Sequence, residues 1–150
     1  ANMGVSVSKT LSIIETGNAE LKVTSHALSG ANTGDFSVTP KTLTIADGGA
    51  AQNLTVQCTP GAPGARTATL TVSHNAAGSP ATYTLNCTGK LPGDVNGDGM
   101  VNLADAVIAL QIAVSKQPPT TVSLSGDVNS DGKIGTEEAS FALKEAAESR

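Results

Sequence analysis

Two stretches in the last third of the chain constrain it most. They are Asp94-Val95-Asn96-Gly97-Asp98-Gly99-Met100-Val101-Asn102-Leu103-Ala104-Asp105 and Asp127-Val128-Asn129-Ser130-Asp131-Gly132-Lys133-Ile134-Gly135-Thr136-Glu137-Glu138. The second satisfies D-x-[DN]-x-[DN]-G-x5-E at every specified position, and the first departs from it only by ending in Asp. A hard divalent cation such as calcium takes roughly six to eight oxygens, which such a loop supplies from side chains at positions 1, 3, 5 and 12 and from the carbonyl at position 7. Glycine at position 6 permits the sharp turn. One match can arise by chance, but two, each followed by a helical pattern, predict a pair of calcium sites.

The charge distribution agrees. Residues 1–90 hold four acids and five bases, whereas residues 91–150 hold nine acids and four bases, so the net charge of −4 belongs to the part carrying the loops. Neither part has a basic stripe interleaved with aromatics, and with no Trp, one Tyr and two Phe in 150 residues a nucleic-acid surface is not expected. The longest apolar run, from Ala106 to Leu110, is far too short to span a membrane. A chain beginning at Ala1 without a signal-like segment reads as a processed or excised piece of a longer protein.

Residues 1–90 are short Thr/Val/Leu/Ser runs broken by Gly, Pro, Asn and Asp. Strands are predicted over 5–8, 11–15, 21–28, 36–39, 43–46, 53–59, 67–74 and 82–88, a spacing that suggests a β-sandwich. Leu54, Val56 and Cys58 alternate onto one face, as do Ala68, Leu70 and Val72, and Tyr83, Leu85 and Cys87. Both cysteines thus fall on the core face, and an up-and-back strand order brings Cys58 and Cys87 to the same pole. A disulfide between them would imply an oxidising compartment; the alternative is two buried thiols. His26 and His74 have no ligand partners at metal spacing and read as strand residues. No Gly-x-Ser-x-Gly elbow is present, and no catalytic residues are expected.

Several phrases in this part carry a resemblance. Glu15-Thr16-Gly17-Asn18-Ala19, Leu28-Ser29-Gly30-Ala31-Asn32, Asp35-Phe36-Ser37-Val38, Leu54-Thr55-Val56 with Pro60, and Gly64-Ala65-Arg66-Thr67-Ala68-Thr69-Leu70 resemble the Ig-like repeats of bacterial surface and secreted proteins, of the choice-of-anchor D kind. The resemblance implies a spacer or presentation module.

Residues 91–150 follow the short linker Lys90-Leu91-Pro92-Gly93. Helices are predicted over 103–116 and 136–149, one after each loop, with none before, so the motifs read as loop-helix half-hands. Val101 and Ile134, at position 8, are expected to pair the loops through a short antiparallel bridge. The phrases Gly93-Asp94-Val95-Asn96-Gly97-Asp98-Gly99 and Gly126-Asp127-Val128-Asn129-Ser130-Asp131-Gly132 resemble a type I-like dockerin, the module that plugs into cohesin receptors. That resemblance implies two calcium ions (Ca2+). The first would use Asp94, Asn96, Asp98, the Met100 carbonyl and Asp105, with Asn102 directly or through water. The second would use Asp127, Asn129, Asp131, the Lys133 carbonyl and Glu138, with water where Gly135 has no side chain. Positions 10 and 11 differ between the repeats, Leu103-Ala104 against Thr136-Glu137, so docking in two rotated poses is not expected.

The first helix is apolar nearly all round, which normally means burial on every side. If Ala106, Ala109, Leu110 and Ala113 face the second helix, Ile108 and Ile112 point away, as does Phe141 from the second. With Leu103, these form the predicted partner face, since so small a domain cannot cover both sides of its helices. The expected architecture is an all-β Ig-like sandwich over residues 1–90 followed by a small helical dockerin over 91–150. The expected function is a non-catalytic, calcium-dependent interaction module of an extracellular, cell-surface or periplasmic protein, docking to a cohesin-like partner. An alternative is a structural cap, with the tail packed on its own sandwich. A sensor-like switch is disfavoured by the missing first helices and by the presence of only two methionines.

Overall fold

The computed structural model describes residues 1–118 and 120–148. Its contacts separate two compact units, one over Met3–Gly89 and the other from Lys90 onward. The first is built from seven strands: β1 (Val7–Ile13), β2 (Leu21–Ser29), β3 (Phe36–Thr39), β4 (Leu43–Ile45), β5 (Gln52–Cys58), β6 (Gly64–His74) and β7 (Ala81–Gly89). They form two antiparallel sheets, ordered β1-β5-β3 and β4-β2-β6-β7.

The period-two pattern explains the layering. Leu54 and Cys58 of β5 and Ala68, Leu70 and Val72 of β6 are buried, and the residues between them are polar or less covered. Val38 and Leu54 from one sheet and Val23, Leu43, Ile45, Leu70 and Val72 from the other share a single core, with Val56 and Leu85 packed against it. Such a core needs no large aromatic, because β-branched and leucine side chains fill it at strand spacing. Tyr83, expected inward, is 38 % exposed on β7, an edge strand on which Leu85 and Cys87 are only partly covered.

Two expected strands are one. Residues 5–8 and 11–15 merge into β1, whose register against β5 runs unbroken from Val7↔Cys58 to Ile13↔Gln52. The polar pair Lys9-Thr10 between the two expected strands is tolerated because β1 lies at a sheet edge and exposes both residues. Cys58 and Cys87 form a disulfide with their Cα atoms 6.6 Å apart. Because β5 and β7 belong to different sheets, the bond staples one layer to the other.

A part-buried ion pair ties the pole below. Asp35 closes a 3-10 turn over Thr33–Asp35, accepts from the Arg66 guanidinium of β6, and accepts a second hydrogen bond from the Gly61 amide at 3.2 Å. The Arg66 hydrogen bond outweighs desolvation and, with the Gly61 amide and the Arg66 charge, holds the Asp35 carboxyl below its ordinary 3.8. A carboxyl depressed by folding contributes stability that is complete above the unfolded value and is lost as pH falls through the folded one. Melting of the parent between about pH 2 and pH 6 should therefore show an acid-side loss that Asp35→Asn removes. Identical acid-side slopes for the two proteins would contradict this.

Candidate metal centre

In the second unit the loops are followed by α1 (Leu103–Ala113) and α2 (Thr136–Glu148). The expected helix over 103–116 stops earlier. Ser115 adopts φ 58°, and the amides of Ser115 and Lys116 bond back to the carbonyls of Ile112 and Gln111, each at 2.8 Å, which closes the last turn. The predicted end of the second helix at Ser149 lies outside the described residues. Before the second loop the chain makes a 3-10 turn over Leu124–Gly126 that periodicity is too coarse to reveal.

Both loops wrap around their first aspartate. Asp94 is buried, and its Oδ1 accepts from the amides of Gly97 (2.7 Å) and Asp98 (3.1 Å) while Oδ2 accepts from Gly99 (2.9 Å). Asn96 Oδ1 accepts from Asp98 N, Asp98 Oδ1 accepts from Met100 N, and Asn96 Nδ2 donates to Asp98 Oδ2. The second loop repeats the arrangement. Asp127 accepts from Ser130 (2.7 Å) and Gly132 (2.8 Å), Asn129 from Asp131, and Asp131 from Lys133, with Asn129 Nδ2 donating back to Asp131. Position 6 has positive φ in both loops, 85° at Gly99 and 79° at Gly132, so glycine is needed there on backbone grounds alone. Desolvation pushes the Asp127 carboxyl up, but the amides of Gly132, Ser130 and Asp131, with Lys90, overcome it and hold the group below its ordinary value.

Position 12 does something the ligand pattern does not announce. Asp105 is fully buried; Oδ1 accepts from Val95 (2.9 Å) and Asn96 (3.0 Å), and Oδ2 from Asn102 (2.9 Å). Asn102 in turn accepts from Ala104 N at 2.8 Å, so Asn102 and Asp105 form a capping box that starts α1. Glu138 accepts from Val128 (3.2 Å) and Gly135 (2.7 Å) in the same places. The spacing Asn102-x-x-Asp105 was the available sign of this second role.

Among the described residues no three acidic, histidine or cysteine side chains converge as a ready-made ion cage. The carboxylates are turned to backbone amides instead. The donors nevertheless suit a hard cation: each loop offers three carboxylates, the amide oxygen of its position-3 asparagine and a main-chain carbonyl, the first adding Asn102, and neither holds a cysteine or a histidine. Met100 and Lys133, the expected carbonyl donors, both lie at exposed positions of their loops.

The loops meet at their starts rather than at position 8. Gly93 N donates to Gly126 O and Ser123 N to Val95 O, each at 2.8 Å. Val101 and Ile134, expected to bridge, have no strand or bridge pairing, and their side chains turn to packing instead: Ile134 is 7 % exposed in the core. That core holds Val95, Ile108, Ala109, Ile134 and Ala139, with Ile112 and Val122 against it. Ala106 and Ala109 are buried on α1, as expected, and Ala139 and Ala142 on α2, whereas Ala113, also expected inward, is exposed.

The outward face is not the one predicted. Ile108 is 6 % exposed, Ile112 and Phe141 are half-buried, and only Leu103 of the expected set is open. Ile108 joins the core because Val95 and Ile134 of the loops extend it toward the start of α1. Leu110, expected inward, is exposed instead and lies on a helical stripe with Leu103, Val107 and Val114, all at least 44 % exposed. On α2 the stripe at equivalent positions is Thr136, Ser140, Leu143 and Ala147, far less apolar.

A β-sandwich stapled by a disulfide, followed by two acidic loop-helix repeats, defines a two-part chain of an Ig-like sandwich and a small helical tail. Residues 1–88 match the HYDIN/CFA65/VesB-like, Ig-like domain, and the chain belongs to that family; residues 92–141 match the dockerin type I domain. These are the two kinds of module that the sequence phrases resemble. Among solved structures, similarity is found to SSP-19, an MSP-domain protein like family member in Caenorhabditis elegans, at 17 % identity over 59 % of this chain and 91 % of that one, with a TM-score of 0.42. The ASH / PapD-like domain of human CEP192 (PapD-like domain 7) is similar at 12 % identity over 59 % and 73 % of the two chains, also with a TM-score of 0.42. No curated protein matches. Both matched families are non-catalytic. No helix among the described residues is long and apolar enough to cross a membrane.

Proposed function

We propose that the chain is a calcium-dependent protein–protein interaction module of a secreted or surface protein, in which residues 91–150 form a dockerin domain that docks to a cohesin-like receptor and the Ig-like domain over residues 1–90 serves as spacer. The observation that carries this reading is the duplicated loop whose position-1 aspartates each collect backbone amides in the same order. Calcium would be held by Asp94, Asn96, Asp98, the Met100 carbonyl and Asp105, with Asn102 directly or through water, and by Asp127, Asn129, Asp131, the Lys133 carbonyl and Glu138. The bound ion supplies the positive charge that lets three carboxylates share one loop, so binding and folding of the tail are coupled. The disulfide fits an oxidising compartment.

The docking face in this reading is the exposed stripe Leu103, Val107, Leu110 and Val114, a contiguous apolar surface on a helix whose one charge, Asp105, is buried. Because α2 lacks an equivalent stripe, docking has a single orientation. Calorimetric titration of metal-stripped protein is expected to find two calcium sites with a gain of far-UV helix signal, and Asp94→Ala or Asp127→Ala should weaken its own site at least about ten-fold. Capture by a panel of cohesin modules should require calcium and fail for Val107→Asp. Unchanged calcium binding in both aspartate variants would end the calcium reading, and undiminished capture of Val107→Asp would end this choice of face.

A further inference from the structure

Phe141 belongs to the second repeat, yet the surface it covers belongs to the first. A Cβ built on Gly93 would lie 2.6 Å from Phe141 Cδ1, 2.8 Å from its Cε1 and 2.8 Å from Val101 Cγ1. The ring is therefore laid directly on the bare Cα of Gly93, beside Val101. Gly93 immediately precedes Asp94, position 1 of the first loop, and Val101 is position 8 of the same loop. One aromatic side chain of α2 thus spans the start and the later part of the first loop.

The same loop is fixed from the other repeat by backbone as well. Gly93 N donates to Gly126 O, and a Cβ at Gly126 would lie 2.7 Å from the Asp94 carbonyl oxygen, so the two glycines preceding the loops are in contact. At the position equivalent to Phe141, α1 carries Ile108, which shares one buried core with Ile134, position 8 of the second loop. Each loop is thus packed by the helix of the other repeat.

The geometry points to Phe141 as a positioning residue for the first calcium loop: it presses Gly93 and Val101 into the spacing at which Asp94 and the rest of that loop can close on an ion. It holds no metal oxygen and acts only through the loop backbone. This rests on the calcium reading above. Fixing the loop in advance removes an ordering cost from binding, so loss of the ring should weaken the first site and leave the second, in Phe141's own repeat, nearly untouched.

The two loops carry separate reporters in the full chain. The Gly99 amide donates to Asp94 Oδ2 at 2.9 Å and the Gly132 amide to Asp127 Oδ2 at 2.8 Å, so each NMR cross-peak follows one loop. Calcium titration of the parent should move both. In Phe141→Ala the midpoint read at Gly99 is expected to rise about ten-fold while that at Gly132 shifts by less than about three-fold. Phe141→Leu, which keeps an apolar cover, should recover most of the difference. A parent chain whose Gly99 and Gly132 ignore calcium overturns the calcium reading and this inference with it. A responsive parent with equal shifts at both glycines in Phe141→Ala, or with none, overturns only the positioning role, since general destabilisation would move both sites alike.

Discussion

Replacing Asp105 with alanine is expected to unfold the helical tail even in saturating calcium. The side chain is fully buried and accepts from three amides, those of Val95, Asn96 and Asn102. The bond from Val95 is buried and those from Asn96 and Asn102 are part-buried; an amide left buried without an acceptor costs about 1–3 kcal/mol, so the loss is on the order of 2–4 kcal/mol before any calcium contact is counted. A domain this small has a net stability of only about 3–5 kcal/mol. Asp98→Ala is the matched control. Asp98 also lies in the ligand pattern, but it is exposed and its oxygens serve Met100 N and the Asn96 amide group, both open to water. Far-UV circular dichroism melts of the two variants at one calcium concentration separate the roles. Equal shifts would mean that Asp105 acts only as a metal ligand, whereas collapse confined to Asp105→Ala means that it first holds the loop to the helix. Asp105→Asn should fall between, because one oxygen still accepts and the new NH2 group meets donors.

Removal of the disulfide should be the most damaging change to the sandwich. The bond closes a sequence separation of 29 residues between strands of different sheets. In the chain-entropy account, opening such a loop costs about 3–4 kcal/mol by restoring freedom to the unfolded chain. For a domain of this size that corresponds to a fall in Tm of roughly 12–30 °C. The Cys58→Ala/Cys87→Ala protein reports this without the excess thiols of a reducing buffer, and a double substitution avoids a lone cysteine. The helical transition of the tail should keep its calcium dependence, since the core of the tail is built from its own residues Val95, Ile108, Ala109, Ile134 and Ala139. A sandwich that melts at the parent temperature would show that the unfolded chain is already compact enough to keep the two strands close.

Some of the misreadings share a cause. Residues 5–8 and 11–15 are one strand in the structure: the polar Lys9-Thr10 between them lies on an edge strand, which has no need of an apolar face and pairs through its backbone. Tyr83 looked buried by alternation, yet alternation gives only the side of the sheet, and the sandwich core does not extend under the far end of β7. Position 8 of each loop looked like a bridge because Val101 and Ile134 are β-branched; the same side chains serve equally well as packing, and packing is where they went.

The position of the oxygen-bearing side chains in the two loops was legible in the sequence alone. A twelve-residue loop is a local object: the side-chain oxygens, the glycine with positive φ and the helix that follows are set by neighbours along the chain. Most of the sandwich strands were legible too, β1 excepted, since a period of two needs no partner to be seen. The outer and inner sides of α1 were not. Leu103 to Ala113 is apolar on every side except Asp105 and Gln111, so its pattern has little phase, and contact with Val95, Ile134 and Ala139 turned Ile108 inward and left Leu103, Val107 and Leu110 outside. Phe141 on Gly93 is the same kind of fact: the two residues are distant in the chain, and no local period records that the ring of one repeat rests on the loop of the other.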